Sequence, residues 1–477
     1  MSTTGHAVAP STAGEALSYA QALDAIAARG RFGIRLGLGR VRAVLRELGN
    51  PEREVRGALV AGTNGKGSVI ALAGAALREA GLRVGETPKP HLVTYRERII
   101  VDGRPIEAAT FARLVGEILP VADRVTRRLG DPTEFELLTA VMFRHFADAA
   151  LDVALVEVGL GGRLDATNAW DGGVAVLTNV ALDHTDRLGP TIGHIAREKA
   201  AIVERGDRAV TGTHGEALAI LRRRCARLGV PLAVAPPAPV LGWTRDALTV
   251  DLSRLGPTVV GLRGRHQAAN VAVADALLDA LEAAGIAVVP DDARRRGYAT
   301  ARWPGRLELL EVAAPNGGGT REVLLDGAHN PDGAAALATA LDDLRPHLAG
   351  GGDRVPQPVT LVWASMADKD VEGVIAAAAR STALKGATVI CTALDLPRAL
   401  AGDALAAAWS SGLPSARVLT AATPEAALDL ALRTAPGPVV VAGSLYLVGA
   451  ARAMLLADPL LADPLPDGAA MVAPVPG

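Results

Sequence analysis

Aromatic residues are scarce in this chain of 477 residues, because tryptophan, tyrosine and phenylalanine together make up only 3% of it. Apolar residues nevertheless account for 49%, so the hydrophobic cores must consist mainly of alanine, leucine and valine. The scarcity of rings also leaves few side chains on which a flat ligand can stack. A chain of this length exceeds the usual size of one domain, and we expect two or three domains.

Cysteine is also rare, and its placement argues against two kinds of site. Cys225 and Cys391 are far apart and lack the spacing of metal ligands, so we expect two buried thiols rather than a disulfide or a zinc centre. The first residues lack a charged segment followed by an apolar core, and no apolar run is long enough to span a bilayer. These absences indicate a cytoplasmic protein with no membrane partner.

The chain has almost no net charge. Its formal charge is −2 and its pI is about 6.5, and it contains no basic block of the kind that binds nucleic acid. An anionic substrate must therefore be recognised by local charges rather than by the field of the whole protein. We expect no nucleic-acid partner.

Short runs of β-branched and other apolar residues alternate with helical segments along the chain. Most of the runs are apolar on both faces, as is typical of parallel strands covered by helices on both sides. The pattern predicts an α/β fold, with a small β excursion over residues 236–264. The predicted strands cover residues 57–60, 151–158, 173–178, 208–211, 322–325, 359–363 and 439–442.

A turn-rich cluster near residues 298–303 suggests a domain boundary. We predict a first domain over residues 15–300 and a second over residues 301–456. The ends of the chain, residues 1–14 and 457–477, have the small, polar or proline-rich composition of disordered segments.

A glycine-rich segment after the strand at 57–60 is the most informative motif. It precedes a predicted helix over residues 69–80, so its backbone N–H groups and the helix start point at one place. A lysine adds a cation and a serine adds a hydroxyl, which together are typical of a phosphate-binding loop. The alternative is an ordinary strand–helix turn. The segment comprises Gly62, Thr63, Asn64, Gly65, Lys66, Gly67 and Ser68.

Glu157 stands at the carboxyl end of another predicted strand, where open α/β sheets bind ligands. A carboxylate buried there is costly unless it is paired or bound to a metal. Glycines follow at residues 159–162 and allow a ligand to approach the backbone. The alternative is a glycine-rich loop with a solvated glutamate.

His184 and Lys199 are weaker candidates. His184 follows the strand at 173–178 and is either a structural residue or a contact for Mg²⁺ or phosphate, although Mg²⁺ prefers oxygen ligands. Lys199 adjoins Glu198 in the helical stretch 195–203, and spacing alone favours a surface ion pair for these two residues.

The second half of the chain contains a similar motif. Asp326 ends a strand, and a glycine turn and a helix start follow it, an arrangement that can receive a ribose or a carboxylate. The alternative is a turn capped by Asn330 or Asp332. The cluster at residues 265–270 enters a helix, and its side chains either cap that helix or bind a ligand.

Together these segments resemble the folylpolyglutamate synthase and dihydrofolate synthase family, within the Mur ligase superfamily. The similar segments follow the family's order through most of the chain, so the likeness does not depend on a single motif. They are residues 62–68, 95–99, 157–168, 182–184, 198–200, 266–270, 303–306, 326–333, 368–370, 397–399 and 443–446.

The resemblance implies an N-terminal P-loop-type ATPase domain with a mostly parallel sheet and a smaller, Rossmann-like C-terminal domain. It also implies a ligase that uses ATP and Mg²⁺. ATP phosphorylates the carboxylate of dihydropteroate or of a folate, and the amine of L-glutamate attacks the acyl phosphate. The resemblance favours a bifunctional enzyme, acting as a monomer on small molecules.

The same resemblance assigns roles to individual residues. The catalytic residues would be Lys66, His184 and Lys199. Besides the loop, ATP would contact Asn270, Arg306, Asp326 and His329. The metal ligands would be Ser68, Glu157, His184 and a carbamylated Lys199. The pterin or folate would contact Thr133, Glu134, Phe135, Glu136, Arg163, Leu164 and Asp165.

Lys89 departs from the family pattern. The family has a metal-binding serine before a Pro-His or Pro-Phe pair, whereas here Lys89 precedes Pro90 and His91. An ammonium cannot ligate Mg²⁺. We hypothesise that Lys89 lies on the γ-phosphate side and that one metal position is altered.

Other functions remain as alternatives. A folylpolyglutamate synthase without the second activity and a cell-wall ligase of the Mur type share the phosphate loop. A non-catalytic module would bind ATP and form no ADP. A dehydrogenase is excluded, because residues 159–162 lack the dinucleotide-binding spacing at a helix start.

Overall fold

The computed structural model describes residues 17–30, 35–315, 319–348, 357–396, 398–456, 458 and 461. The segment predicted to be disordered at residues 1–14 lies outside these residues, as does the tail at 457–477 except for Asp458 and Leu461.

A mainly parallel sheet forms the first layer of the fold. Its strands in the described residues are β1 (Gly57–Ala61), β2 (Val84–Thr87), β3 (Ile100–Val101), β4 (Arg104–Pro105), β5 (Val153–Glu157), β6 (Gly173–Leu177), β7 (Arg208–Thr211) and β8 (Leu232–Val234). Their order is β4-β3-β2-β5-β1-β6-β7-β8, with β3 and β4 antiparallel. The central strand β1 pairs in parallel with β5 and β6, so the carboxyl ends of these three strands lie at one edge.

Two further sheets follow. An antiparallel sheet in the order β11-β10-β9 confirms the predicted β excursion, and a larger sheet has the order β12-β13-β17-β14-β15-β16. In the larger sheet β12 is antiparallel to β13 and the other pairs are parallel. The strands are β9 (Val240–Trp243), β10 (Leu248–Leu252), β11 (Gly256–Val260), β12 (Glu308–Ala313), β13 (Thr320–Leu325), β14 (Thr360–Trp363), β15 (Thr388–Thr392), β16 (Arg417–Ala421) and β17 (Val439–Ala442).

Helices connect most of the strands, and within the described residues none is both long and apolar enough to cross a bilayer. They are α1 (Tyr19–Gly30), α2 (Gly39–Glu47), α3 (Lys66–Glu79), α4 (Ala108–Leu129), α5 (Glu134–Asp148), α6 (Thr185–Leu188), α7 (Ile192–Ala200), α8 (Gly215–Leu228), α9 (Gln267–Ala283), α10 (Asp291–Thr300), α11 (Pro331–Leu344), α12 (Val371–Ala378), α13 (Gly402–Gly412), α14 (Pro424–Thr434) and α15 (Leu445–Leu455). Short 3₁₀ helices cover Pro51–Glu54, Tyr95–Arg98, Ala166–Ala169, Arg345–His347 and Thr382–Leu384.

Apolar residues cover both faces of the large sheet, which explains why the neighbouring strands β1, β2 and β5 are buried throughout. One core contains Phe111 and Phe143 from α4 and α5, and the other contains Leu72 and Leu277 from α3 and α9. Alanine, leucine and valine dominate both cores, and the cysteines are free and buried. The predicted α/β fold is confirmed, whereas the boundary near residue 300 stays a prediction.

A buried arginine joins the helices behind the glycine-rich loop. Arg294 of α10 is fully buried, and its Nη1 donates to Asp275 Oδ1 at 2.9 Å. Tyr298 donates its hydroxyl to the same oxygen, also at 2.9 Å. Gly297 lies so close to Ala76 of α3 that a Cβ would collide with the backbone there. This cluster therefore holds α9 and α10 against the helix that carries the loop.

Replacing Arg294 with leucine leaves Asp275 buried without its cation. We expect the free energy of unfolding to fall by about 3–5 kcal/mol, the usual cost of removing one partner from a buried pair. Urea denaturation followed by circular dichroism measures the change. Arg296→Leu, on the exposed side of α10, is the matched control and has a far smaller effect. Equal losses in the two variants would contradict a special role for the buried pair.

Candidate functional site

The glycine-rich loop connects β1 to α3 at the centre of the large sheet. The helix begins at Lys66, earlier than the predicted residue 69, because Gly65 adopts φ +82° and turns the chain directly into it. A Cβ on Gly65 would collide with Asn270, and one on Gly67 would collide with Trp303. The loop is thus packed tightly against α9 and against the segment that leads to the second large sheet.

Lys66 folds back over this loop. Its Nζ donates to the carbonyl oxygens of Gly62 (3.2 Å) and Thr63 (3.0 Å). The same Nζ lies 3.8 Å from Glu157 Oε1. Ser68 is buried two residues further along α3. The loop therefore presents a cation beside the helix start, which is the arrangement expected of an anion site.

Glu157 ends β5 and is buried, so burial raises its pKa, while the neighbouring Lys66 acts in the opposite direction. Its Oε2 accepts a hydrogen bond from the backbone N–H of Lys89 at 3.0 Å. The alternative of a solvated glutamate is therefore wrong. Glu157 links the loop to the segment that follows β2.

Lys89 is the second lysine at this carboxylate. Its Nζ donates to the backbone carbonyl of Glu157 at 2.7 Å and lies 4.5 Å from the centroid of the Phe135 ring. Burial lowers the pKa of Lys89 to about 8, so the side chain remains mostly a cation at pH 7. Its proposed position on the γ-phosphate side stays a prediction.

Lys199 of α7 is the third lysine at this site. The surface ion pair favoured by spacing is wrong, because Lys199 is buried and its Nζ donates to the carbonyl of Gly62 at 2.8 Å. Glu198 instead accepts from Arg163. Burial lowers the pKa of Lys199 to about 7, so about half of the side chains are neutral at that pH.

His184 lies near Lys66 and Lys199 but, in the part of the chain that the structure describes, does not share their contacts with Gly62. It has φ +49°, its side chain is half-exposed, and burial lowers its pKa. Its Nε2 lies 3.8 Å from Asp183 Oδ2. Among the described residues, no hydrogen bond or ion pair joins His184 to Glu157 or Ser68.

The turn after β13 faces the loop from the second large sheet. Asn64 Nδ2 donates to Asp332 Oδ2 at 2.7 Å, and Lys369 Nζ donates to Asp183 Oδ1 at 3.3 Å. Asn330 caps α11 through Gly333, so the capping interpretation is confirmed. The two sheets thus meet at the glycine-rich loop.

The predicted nucleotide contacts of the second half lie behind this turn. Asp326 is buried and accepts from the backbone N–H groups of Leu307 and Ala328, at 3.0 and 2.9 Å. Burial raises its pKa and Arg306 opposes the rise. His329 donates from Nδ1 to the Gly327 carbonyl at 2.7 Å, and burial lowers its pKa to about 4, so it is neutral at pH 7.

Asn270 reaches the site from α9. Its Nδ2 donates to Gln267 Oε1 at 2.8 Å, while its Oδ1 faces Gly65. Arg306 lies against Gly327 and donates to the Gly305 carbonyl at 3.1 Å. Its positive charge opposes the rise in pKa of both Glu157 and Asp326.

The predicted pterin contacts fall into two groups. Thr133 and Glu136 form a capping box at the start of α5, and Glu136 also pairs with Arg40 at 3.0 Å. Glu134 accepts a hydrogen bond from the Tyr95 hydroxyl at 3.0 Å. These three side chains therefore have structural partners.

Two of the remaining predicted pterin contacts, Phe135 and Asp165, lie against Gly159. A Cβ there would lie 2.9 Å from the Phe135 ring and 3.1 Å from Asp165 Oδ2. Asp165 accepts from the backbone of Leu160 and Thr167, while the Leu164 carbonyl accepts from Gly37. Arg163 is exposed and pairs with Glu198. In this set, Phe135 contacts Lys89 through its ring, and the charge of Asp165 acts on Lys89 and Lys199.

Several residues at the site had no assigned role in the sequence, notably Asn179, which accepts from the Asn64 N–H at 2.8 Å. Lys369 is another. Only five of the 49 basic residues are lysine, namely Lys66, Lys89, Lys199, Lys369 and Lys385, and the first four lie at this site. The rarity of lysine was therefore a usable signal.

The donors at the loop suit a hard cation that also binds phosphate. Among the described residues, no three His, Cys, Asp or Glu side chains form a metal cluster. Mg²⁺ is commonly held by one or two carboxylates, a hydroxyl, water and substrate phosphates rather than by a complete protein cage. Glu157 and Ser68 fit that pattern, whereas Lys199 fits only as a carbamate.

Comparisons with known proteins agree with this geometry. The family profile described as "Mur ligase, glutamate ligase domain" matches residues 305–445. The dihydrofolate synthase/folylpolyglutamate synthase of Bacillus subtilis is 37% identical over 335 residues, covering 68% of this chain and 76% of the relative.

Solved structures extend the likeness to nearly the whole chain. The Mycobacterium tuberculosis folylpolyglutamate synthase complexed with ADP and AMPPCP has a TM-score of 0.79 and 32% identity, covering 93% of this chain and all of the other. Escherichia coli FolC in complex with DHPP and ADP has a TM-score of 0.75 and 30% identity, covering 92% and 98%. The chain therefore belongs to the folylpolyglutamate synthase and dihydrofolate synthase family of Mur ligases.

Proposed function

We propose that this ligase joins L-glutamate to dihydropteroate, and to the glutamate tail of folates, with ATP as the phosphate donor. The observation that supports it most directly is the lysine cluster at the loop. Gly62 accepts from both Lys66 and Lys199, and Glu157 stands between Lys66 and Lys89. Such a cluster neutralises transferring phosphate and fixes its position, which is most of what phosphoryl transfer requires.

Different residues of the site bind different parts of the substrates. Backbone N–H groups of the loop and Lys66 bind the phosphates of ATP, while Asn270, Asp326 and His329 bind the rest of the nucleotide. Arg306 approaches the phosphates from the second sheet. The acceptor carboxylate attacks the γ-phosphorus, ADP leaves, and the glutamate amine then displaces phosphate from the acyl phosphate.

Closure of the two sheets protects this intermediate. Acyl phosphates react with water, so a site that excludes water favours attack by the amine. The bonds from Asn64 to Asp332 and from Lys369 to Asp183 hold the closed arrangement. His184 lies beside the second of these bonds, and we assign it a contact with phosphate or with Mg²⁺.

Mg²⁺ held by Glu157 and Ser68 would supply additional positive charge to the phosphate oxygens. A carbamate on Lys199 would add oxygen donors on the other side of Gly62. Phe135 and Asp165 lie on the side of Glu157 that carries Lys89, so we assign the pterin-bearing substrate to that side.

The test is to measure ADP formation from ATP with dihydropteroate or with a monoglutamyl folate, each with and without L-glutamate. We expect turnover that requires both glutamate and an acceptor. Glutamate-dependent turnover with the folate but not with dihydropteroate would indicate a folylpolyglutamate synthase without the second activity. ATP binding without ADP formation would indicate a non-catalytic module and overturn the proposal, as would turnover confined to cell-wall peptide acceptors.

A further inference from the structure

The ammonium of Lys89 is partly buried and has few hydrogen-bond partners. Within the described part of the chain its Nζ has one hydrogen-bond partner, the Glu157 carbonyl at 2.7 Å, although an ammonium carries three donors. Its charged neighbours are Asp165 and Glu157, of opposite sign, and Arg98 and Lys66, of the same sign. Both carboxylates already accept hydrogen bonds from backbone N–H groups.

Lys89 also lies on a particular side of Glu157. The carboxylate Oε1 faces Lys66 and the phosphate loop, while the Lys89 Nζ contacts the backbone of the same residue and lies over the Phe135 ring. The contacts therefore run in order from the loop to Lys66, Glu157, Lys89 and Phe135. The ammonium lies on the α5 side of this series rather than against the loop.

A small cavity opens beside the ammonium. Its lining includes Arg98, Phe135, Leu138 and Met142 along with Lys89. The walls are mainly apolar, and Lys89 and Arg98 add positive charge to them. An aromatic ring beside a cation suits the benzoate end of an acceptor substrate, whose carboxylate would meet the ammonium.

We propose that Lys89 binds the reacting carboxylate of the acceptor substrate and holds it toward the phosphate loop. The inference rests on the proposed function, since it concerns the acceptor side of the same site. It differs from the hypothesis that Lys89 replaces a metal ligand at the γ-phosphate. Removing a hydrogen bond to a charged group commonly reduces affinity by about 10-fold or more.

The test compares two ligands, pteroate and its uncharged carboxamide, by isothermal titration calorimetry without nucleotide. The parent protein should bind the acid at least about 10-fold more tightly than the amide. Lys89→Met should bind both with similar affinity, and Lys89→Arg should recover part of the preference for the acid. Lys385→Met, at an exposed lysine, is the control and should keep the full preference.

Three results would overturn the inference. In the first, Lys89→Met weakens binding of the acid and the amide equally, which would mean that Lys89 acts only through packing. In the second, Lys89→Met weakens binding of ADP while the preference for the acid persists, which would mean that Lys89 contacts the phosphates. The parent could also fail to distinguish the two ligands. Lys89→Gln gives a second neutral variant if the methionine variant does not fold. A parent that prefers the acid through Lys89 but forms no ADP would overturn only the proposed function.

Discussion

Replacing Lys66 with alanine is expected to lower kcat/KM for ADP formation by about 100-fold or more, the usual cost of removing one preorganised group that stabilises transferring charge. We expect this large loss because the Lys66 Nζ donates hydrogen bonds to two loop carbonyls and lies 3.8 Å from Glu157. The cation is therefore already in place before phosphate transfer begins. A coupled assay for ADP, run at saturating acceptor and glutamate, measures the loss.

Two variants make this result specific. Lys66→Arg keeps the charge but not the compact ammonium, so we expect it to restore only part of the activity. Lys385→Ala removes an exposed lysine and should leave the rate unchanged. If Lys66→Ala lost less than about 10-fold, charge stabilisation by this residue would be refuted.

Activity is also expected to depend on carbon dioxide through Lys199. The neutral amine adds to CO₂ and loses a proton, which gives a carbamate. Because burial lowers the pKa of Lys199 to about 7, the neutral form increases as the pH rises through 7, and the ammonium form below that pH cannot react. Activity in CO₂-depleted buffer should therefore be low and should recover with bicarbonate, more fully at pH 8 than at pH 6.

Lys199→Ala should reduce kcat/KM by about 10- to 100-fold, the range seen when a group that orients metal ligands is removed. A ¹³C-labelled carbamate signal in the parent, absent from the variant, gives a readout separate from turnover. Lys199→Arg keeps a cation that forms no carbamate, so it should be as impaired as the alanine variant. Full activity in Lys199→Arg, with no response to CO₂, would mean that the cation itself is what the site requires.

Much of the large sheet was predictable because its strands are visible in the sequence as short apolar runs. The buried apolar runs identified β1, β5 and β6 within a few residues, and the position of Glu157 at a strand end follows from the same pattern. The glycine-rich turn between β1 and α3 was predictable because glycine is needed there for local reasons, whereas its binding of phosphate stays a prediction. The start of α3 was placed too late, since the predicted helix was counted from its first apolar residue.

Long-range contacts were not predictable from spacing. Lys199 was interpreted as a surface residue because its neighbour Glu198 is charged, yet its partner is Gly62, which is 137 positions away. The contact of Lys89 with Glu157 likewise depends on the parallel pairing of β2 with β5. Residue order does not specify which strands become neighbours, so these contacts required the three-dimensional arrangement.

The distribution of lysine has a practical consequence for labelling. Lys66, Lys89 and Lys199 are enclosed, and Lys369 is engaged with Asp183, which leaves Lys385 as the exposed ε-amine. Succinimidyl dyes or surface linkers applied at alkaline pH should therefore attach at Lys385, apart from the α-amino group. A fluorophore attached there would report on the tumbling of the protein without touching the cleft.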